Sequence, residues 1–568
     1  MTHPGTTATA PTTPEPGDRA VDRTRADARW WSEAVVYQVY VRSFADANGD
    51  GIGDLAGVRA RLPYLRDLGV DALWFNPWYP SPLADTGYDI ADYRSIDPAF
   101  GTLEEAEQLI AEARALGIRT IVDIVPNHVS DQHPWFRSAL ASPPGSPERE
   151  HFWFRAGAGP DGELPPNGWQ SIFGGPAWTR IDDAGGPGEW YLHLFAPEQP
   201  DLNWTHPDVW AEHEDVLRFW FDRGAAGVRI DSAALLVKDP HLAEEAPDPA
   251  AGEHPFMDRD GLHDIYRRWR AIADGYPDPR VLVGEVWLPD PDRLARYLRP
   301  DELHTAFNFD FLACPWEPGP MRNSIESALA AHAPVDAPTT WVLSNHDVTR
   351  PVTRYGRTDT SFSFDSKRAG TPTDLERGTR RARAAALLAM ALPGSMYIYQ
   401  GEELGLPEIE DIPAERRQDP MWHRSGGVDP GRDGCRIPLP WEGELPPYGF
   451  SREGAERPWL DPPDDWAPLT VAAQSASTTS MLCLYRTGLS LRRGAPWSGD
   501  GALRWIDSPE SVLAFARGER FACMVNFGPG PVELPPRAEV LIVSNDLEGG
   551  ALPQDTTVWL RQAKDRIG

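Results

Sequence analysis

Residues 119–127 read RTIVDIVPN and residues 226–231 read AGVRID. Each is a short run of Val and Ile, the pattern of a strand buried on both faces, and each runs out into polar residues. The first leaves Asp123 and the pair Asn127-His128 at its end, the second Arg229-Ile230-Asp231. The same grammar recurs on either side. AVVYQVYV (34–41) and DALWFN (71–76) come before; VLVGEV (281–286), TAFNFD (305–310), TTWVLSNHD (339–347) and SMYIYQGEEL (395–404) come after. Helix-period stretches separate them, such as LAGVRARLPYLRDLG (55–69), RRARAAALLAMAL (380–392) and TLEEAEQLIAEARALG (102–117), whose Thr102 and Glu105 have capping-box spacing. Strands that alternate with helices imply parallel pairing through helical crossovers, and a barrel closes at eight. The predicted fold is α/β, a (β/α)8 barrel.

The alternation breaks over 128–204, where Gly, Pro and Trp dominate (PPNGWQSIFGG, GGPGEWYLHLF). A stretch that long is read as an inserted irregular domain after the third strand rather than a loop. The barrel then comprises 29–127 and 205–494. From 495 to 568 short strands and turns predict a C-terminal antiparallel β-sandwich, and the Thr-, Pro- and Ala-rich residues 1–28 predict a disordered tail.

Composition excludes several functions. A net charge of −31 and a pI near 4.8 argue against nucleic acid and anionic membranes, which attract basic patches. The four cysteines are far apart, with no CxxC pair, so neither a disulfide framework nor a zinc site is expected. No stretch reaches the ~18 apolar residues of a membrane span. The N-terminus has no basic start and no apolar core, so a cytoplasmic protein is expected. The 23 Trp, 20 Phe and 15 Tyr supply the flat apolar faces on which sugar rings rest, although any one Trp serves a core equally well.

In such barrels chemistry sits where strands end. Asp231, Glu285 and Asp347 lie at the mouths of the fourth, fifth and seventh strands, with Arg229, His128 and His346 among them. One carboxylate at a strand end is commonly a helix cap; three around one barrel mouth make a dense polar ring that capping does not explain.

The segments DIVPNHVSDQHPWF, GVRID, GEVW and LSNHD resemble glycoside hydrolase family thirteen, the α-amylase family, over roughly residues 29–480. GYDIADY, QPDLNW and GRDGCRIPLPW resemble its α-glucosidase and oligo-1,6-glucosidase branch, which takes short oligosaccharides by the end. The resemblance implies Asp231 as nucleophile, Glu285 as proton donor and Asp347 as the group that clamps the sugar hydroxyls. It also implies hydroxyl-binding roles for His128 and His346, with Arg229 keeping the nucleophile ionised. Tyr88 and Asp89 would stand at the dead end of a glucose pocket, Asp89 paired with Arg432 or Arg436.

In DANGDGIGD the resemblance implies a structural Ca2+ or Mg2+ on Asp46, Asn48, Asp50, Asp54 and the Ile52 carbonyl. The twelfth position, Gly57, rules out an EF-hand, and no catalytic cofactor is implied. In this branch Val after the nucleophile goes with α-1,6 links and Thr with α-1,4. Ser232 departs from both but is nearer Thr, so α-1,4-linked substrates are expected. The partner is a small oligosaccharide; the sequence leaves open the acceptor, water or a second sugar, and the oligomeric state. A transglucosylase or a sucrose or trehalose isomerase on the same scaffold would form the same covalent intermediate and differ only in the acceptor. A non-catalytic sugar-binding subunit would have lost the carboxylates.

Overall fold

The computed structural model describes residues 29–181, 188–244, 254–364, 366–494, 497 and 501–562, so the tail expected over 1–28 lies outside the described residues. The chain lays down β1 (Val35–Val39), β2 (Ala72–Phe75) and β3 (Arg119–Ile124). A small antiparallel sheet follows: β4 (Phe154–Ala156), β5 (Trp178–Arg180) and β6 (Glu189–Leu192), in the order β4-β6-β5. Parallel strands then resume with β7 (Gly227–Ile230), β8 (Val281–Gly284), β9 (Thr305–Ala306), β10 (Thr340–Val342) and β11 (Ser395–Tyr399). Each falls inside one of the eight segments read as strands.

The eight pair in the order β10-β11-β1-β2-β3-β7-β8-β9. The two ends of that order meet through the hydroxyls of Thr305 and Thr340, which hydrogen-bond across the seam and bring the sheet round into a barrel. Val36, Trp74, Ile121, Val283, Val342 and Tyr397 share one cluster with Phe307. The interior thus holds aromatic rings (Trp74, Phe307, Tyr397) beside its Val and Ile. A second, larger cluster lies between the strands and their helices, where Tyr37, Leu73, Val122, Val228 and Leu282 meet Leu65, Leu109 and Leu217. Local signals agree with the tertiary ones. The helix Leu55–Leu68 starts on an Asp54 cap and stops at Gly69 (φ 97°). The helix Leu103–Ala115 carries the Thr102–Glu105 capping box.

Beyond the barrel, β12 (Leu503–Trp505), β13 (Val512–Arg517), β14 (Phe521–Asn526), β15 (Glu539–Val543) and β16 (Thr556–Arg561) form one antiparallel sheet, ordered β12-β13-β14-β16-β15. Alternate residues face opposite ways. Trp559 and Thr557 reach the helix Leu375–Ala391, donating to the carbonyls of Leu387 (3.0 Å) and Ala384 (2.8 Å). On the other face Val512, Ala514, Met524 and Leu560 are covered by Val532, Leu534, Leu547 and Leu552, from the connections flanking β15. A barrel helix on one side and loops on the other stand where a second sheet of a sandwich would.

Candidate active site

Register alone places the two central carboxylates side by side. Ile230 on β7 pairs with Gly284 on β8, so the next residues, Asp231 and Glu285, leave adjacent strands at the same level. Neighbouring strands stand about 4.8 Å apart. Arg229, two residues before Asp231, shares its side of the pleat. Its Nη1 donates to Asp231 Oδ1 (2.8 Å) and to Asp123 Oδ1 (2.9 Å), and its Nη2 meets Glu285 Oε2 at 2.6 Å. One buried guanidinium therefore ties the ends of β3, β7 and β8 together.

Burial pushes Asp231 up to about 6, against the pull of Arg229. Burial pushes Glu285 up to about 7, again opposed by Arg229 and helped by the negative charge of Asp231 and Asp347. Asp347, beyond β10, goes the other way. Burial would raise it, but His346 at 3.3 Å and the guanidiniums of Arg432 (3.1 Å) and Arg436 (2.9 Å) hold it well below the usual carboxylate range. The site thus contains two carboxyls poised near neutrality and one fixed as an anion.

The remaining residues build the wall around them. Tyr88 stacks on His346 with ring centroids 5.1 Å apart and donates to Asp123 Oδ2 (3.0 Å). Burial holds His128 down to about 4 and keeps it neutral, with Nε2 near the Tyr88 carbonyl (3.1 Å) and the Gln199 amide (3.0 Å). These groups line a cavity of about 760 Å³ together with Asp231, Glu285 and Asp347.

Two sequence assignments are revised here. Asp89 does not face the cavity. Its carboxylate accepts from Ser81 Oγ (2.8 Å) and from the amides of Ala84 (2.9 Å) and Asp85 (3.0 Å), which knots the 81–89 loop. The carboxylate of this loop that lines the cavity is Asp85, which pairs with Arg432 at 2.6 Å. Both residues flank Tyr88 in DTGYD, and nothing in the string tells which one the loop consumes. The choice between the arginines is also resolved. Arg432 lines the cavity and bridges Asp85, Asp347 and Asp419, whereas Arg436 sits behind it, fully buried, on Asp347, Thr86 Oγ1 and the His346 carbonyl.

The 46–54 loop lies away from this cavity. Asp46 accepts from the amides of Gly49 and Gly51, Asn48 from Asp50, Asp50 from Ile52, and Asp54 from Ala47, Asn48 and Gly57. Asp54 thus doubles as the helix cap.

The family description "Alpha amylase, catalytic domain" matches residues 38–501. The chain belongs to the α-amylase family of glycoside hydrolases.

Among its relatives is a probable α-glucosidase of Rhizobium meliloti (strain 1021), 37% identical over 88% of this chain and 90% of that one. Another is the trehalose-6-phosphate hydrolase of Escherichia coli (strain K12), 35% identical over 82% and 84%. Similar solved structures include an α-glucosyl transfer enzyme, XgtA (TM-score 0.79, 32% identity, 94% of this chain and 99% of that one). The isomaltulose synthase of Klebsiella sp. LX3 is alike to the same extent (TM-score 0.81, 29% identity, 94% and 99%).

A further feature of this α-amylase family member escaped the sequence reading. Lys238 is buried, and its ammonium meets Asp201 at 2.7 Å, Asn127 Oδ1 at 2.6 Å and the Leu235 carbonyl at 2.7 Å. It fastens the insert (Asp201) to the segments after β3 (Asn127) and after the β7 carboxylate (Leu235). Its scarcity was the available signal, for it is one of three lysines in the chain. Lys238→Met should leave Asp201 buried without its cation. Removing one partner of such a pair costs about 3–5 kcal/mol, which urea unfolding should detect; a variant as stable as the parent would show that the pair carries no such weight.

Proposed function

We propose that this glycoside hydrolase is an exo-acting, retaining α-glucosidase for short α-glucosides. The observation that carries the reading is the shared guanidinium: Arg229 holds Asp231 and Glu285 on neighbouring strands. Retention requires carboxyl groups about 5–5.5 Å apart, a separation that adjacent strand ends supply. Asp231 attacks C1 of the sugar as Glu285 gives its proton to the departing oxygen. Asp347, held as an anion, binds the sugar hydroxyls and stabilises positive charge on the ring. Glu285, now a carboxylate, then takes the proton of the incoming water, whose oxygen displaces Asp231. The Asp85–Arg432 pair lines the cavity; as its closed end it would leave room for one terminal sugar, which is the basis of the exo reading. The names of the relatives, α-glucosidase and trehalose-6-phosphate hydrolase, agree with a short-substrate preference.

Transfer to an acceptor other than water is the second reading. Its support is the cavity lining, where Ile172, Leu235, Met257, Trp287 and Phe364 offer an apolar surface to an organic acceptor.

The ionisations give the pH dependence. Activity needs Asp231 ionised, so kcat/KM should fall as pH drops through about 6. It needs Glu285 protonated, so it should fall again as pH rises through about 7. Glu285→Gln should abolish the alkaline limb for an aryl glucoside with an acidic phenol, while Asp231→Ala abolishes turnover of every substrate. A Glu285→Gln variant that keeps its alkaline limb would assign proton donation elsewhere.

Linkage preference follows from Ser232, whose Oγ donates to Asp231 Oδ2 (2.8 Å) and whose amide donates to Glu285 Oε2 (3.1 Å). Ser232→Val exchanges the hydroxyl for methyl groups beside the leaving sugar. Maltose should be favoured over isomaltose in the parent by ~1–3 kcal/mol in kcat/KM, and the ratio should move toward isomaltose in the variant. Isomaltose as the better parent substrate would overturn this.

The loop Asp46, Asn48, Asp50, Asp54 with the Ile52 carbonyl would hold Ca2+ or Mg2+. Its donors are all hard oxygens, and Gly51 (φ 84°) makes the turn that gathers them. Such an ion would be structural. EDTA should lower the melting temperature and Ca2+ or Mg2+ restore it; a melting temperature indifferent to EDTA in the parent would reject the site.

A further inference from the structure

The proton that Glu285 gives away has one place to sit. Each carboxyl oxygen offers two lone pairs. On Oε2 both are spent, one on Arg229 Nη2 (2.6 Å) and one on the Ser232 amide (3.1 Å). Among the described residues Oε1 receives one donor, the indole Nε1 of Trp287 at 3.1 Å, which leaves it a second lone pair. Trp287 is itself held. Its ring lies on Phe309 with centroids 3.6 Å apart and planes 3° from parallel, and the edge of Phe364 abuts it at 4.9 Å. The same indole lines the cavity that holds Asp231 and Glu285.

We propose that Trp287 is a positioning residue for the acid/base: its N–H orients Glu285 so that Oε1, rather than the Oε2 filled by Arg229 and Ser232, presents the proton the leaving oxygen receives. The inference rests on the acid/base reading of Glu285. As the bond from C1 to the glycosidic oxygen breaks and that from C1 to Asp231 forms, the Oε1 proton moves onto the departing oxygen. The resulting carboxylate keeps the indole hydrogen bond, now charge-assisted and stronger. A donor aimed at a carboxylate favours its ionised form. The charged groups facing Glu285 are Arg229 and Asp231 at the end of β7 and Asp347 beyond β10. Trp287 adds to Arg229 in holding the proton loosely enough to be given up.

Two substitutions separate the N–H from the ring. Trp287→Phe keeps an aromatic face for Phe309 and deletes the donor; Trp287→Gln keeps an N–H donor and deletes the ring. In Trp287→Phe the alkaline limb of kcat/KM should move up by about one pH unit, the scale of a hydrogen bond to a charged group. Turnover of maltose, which needs protonation, should fall at least tenfold further than that of p-nitrophenyl α-glucoside, which needs little. Trp287→Gln should return the limb toward its parent position while KM stays raised. An unmoved limb in Trp287→Phe, with only KM raised, would reduce Trp287 to a platform and overturn the proposal. So would a limb displaced equally in both variants. Glu285→Gln measured alongside separates the two layers. If it retains the alkaline limb, the acid/base reading fails and this inference with it; if it loses the limb, the Trp287 variants judge the inference alone.

Discussion

One buried cation organises this active site. Arg229 has 1% of its side chain exposed and lies among Asp123, Asp231 and Glu285, each within hydrogen-bond distance. Three buried carboxylates without it would be untenable, since each would bear the desolvation cost of an ion and the repulsion of the other two. With it, each carboxylate is compensated only in part. Asp123 and Glu285 are pushed up to about 7 and Asp231 to about 6, because burial outweighs a single shared positive charge. Under-compensation of this kind leaves Glu285 able to hold a proton near neutrality and Asp231 able to lose one. A second cation at the same place would ionise both.

The opposite balance holds across the cavity. Asp347 meets two guanidiniums, Arg432 and Arg436, and stays an anion. Arg432 is in turn shared with Asp85 and Asp419, so Asp85 and the third carboxylate form one ion-pair network. This network draws on the 81–89 loop after β2, the segment after β10 and the 419–436 segment after β11. Substrate room is therefore set by loops, whereas the reacting carboxylates stand on strand ends. Variation in chain length or linkage can then be accommodated without disturbing the pair that does the chemistry.

Where the sequence was legible follows from the same division. The eight strands and the ring of polar residues at their ends could be read because period and position are local properties: Ile230-Asp231 and Gly284-Glu285 are placed by register alone. Loop residues resisted reading. Asp85 and Asp89 are both acidic, both buried and both beside Tyr88; only the fold of the loop decides that Asp89 accepts three internal hydrogen bonds and Asp85 is left for Arg432. Lys238 escaped for a related reason: it acts through Asn127, far away in the chain, and no motif joins such distances. Trp287 stands inside GEVW, two residues from Glu285, but which way its N–H points depends on the stack with Phe309, a tertiary contact. The C-terminal strands were visible as strands, but what covers their faces, a barrel helix on one side, is a tertiary fact.

Ser232 shows how the two divisions meet. It has φ 48°, a left-handed backbone that a non-glycine residue adopts at some cost. That turn aims its amide at Glu285 Oε2 and its hydroxyl at Asp231 Oδ2, so one strained residue donates to both reacting carboxylates. Backbone strain at a functional site persists only where the surroundings over-determine it. Here they do, since the next residue's amide is bound to the Glu285 carbonyl (2.9 Å) and its carbonyl to the Tyr266 hydroxyl. The amide contact belongs to the backbone and does not draw on the serine side chain; the hydroxyl contact does. In the proposed mechanism a change of side chain at 232 would alter the nucleophile's hydrogen bonding and the shape of the leaving-group space together, so that linkage preference and nucleophile strength would be coupled through this one position.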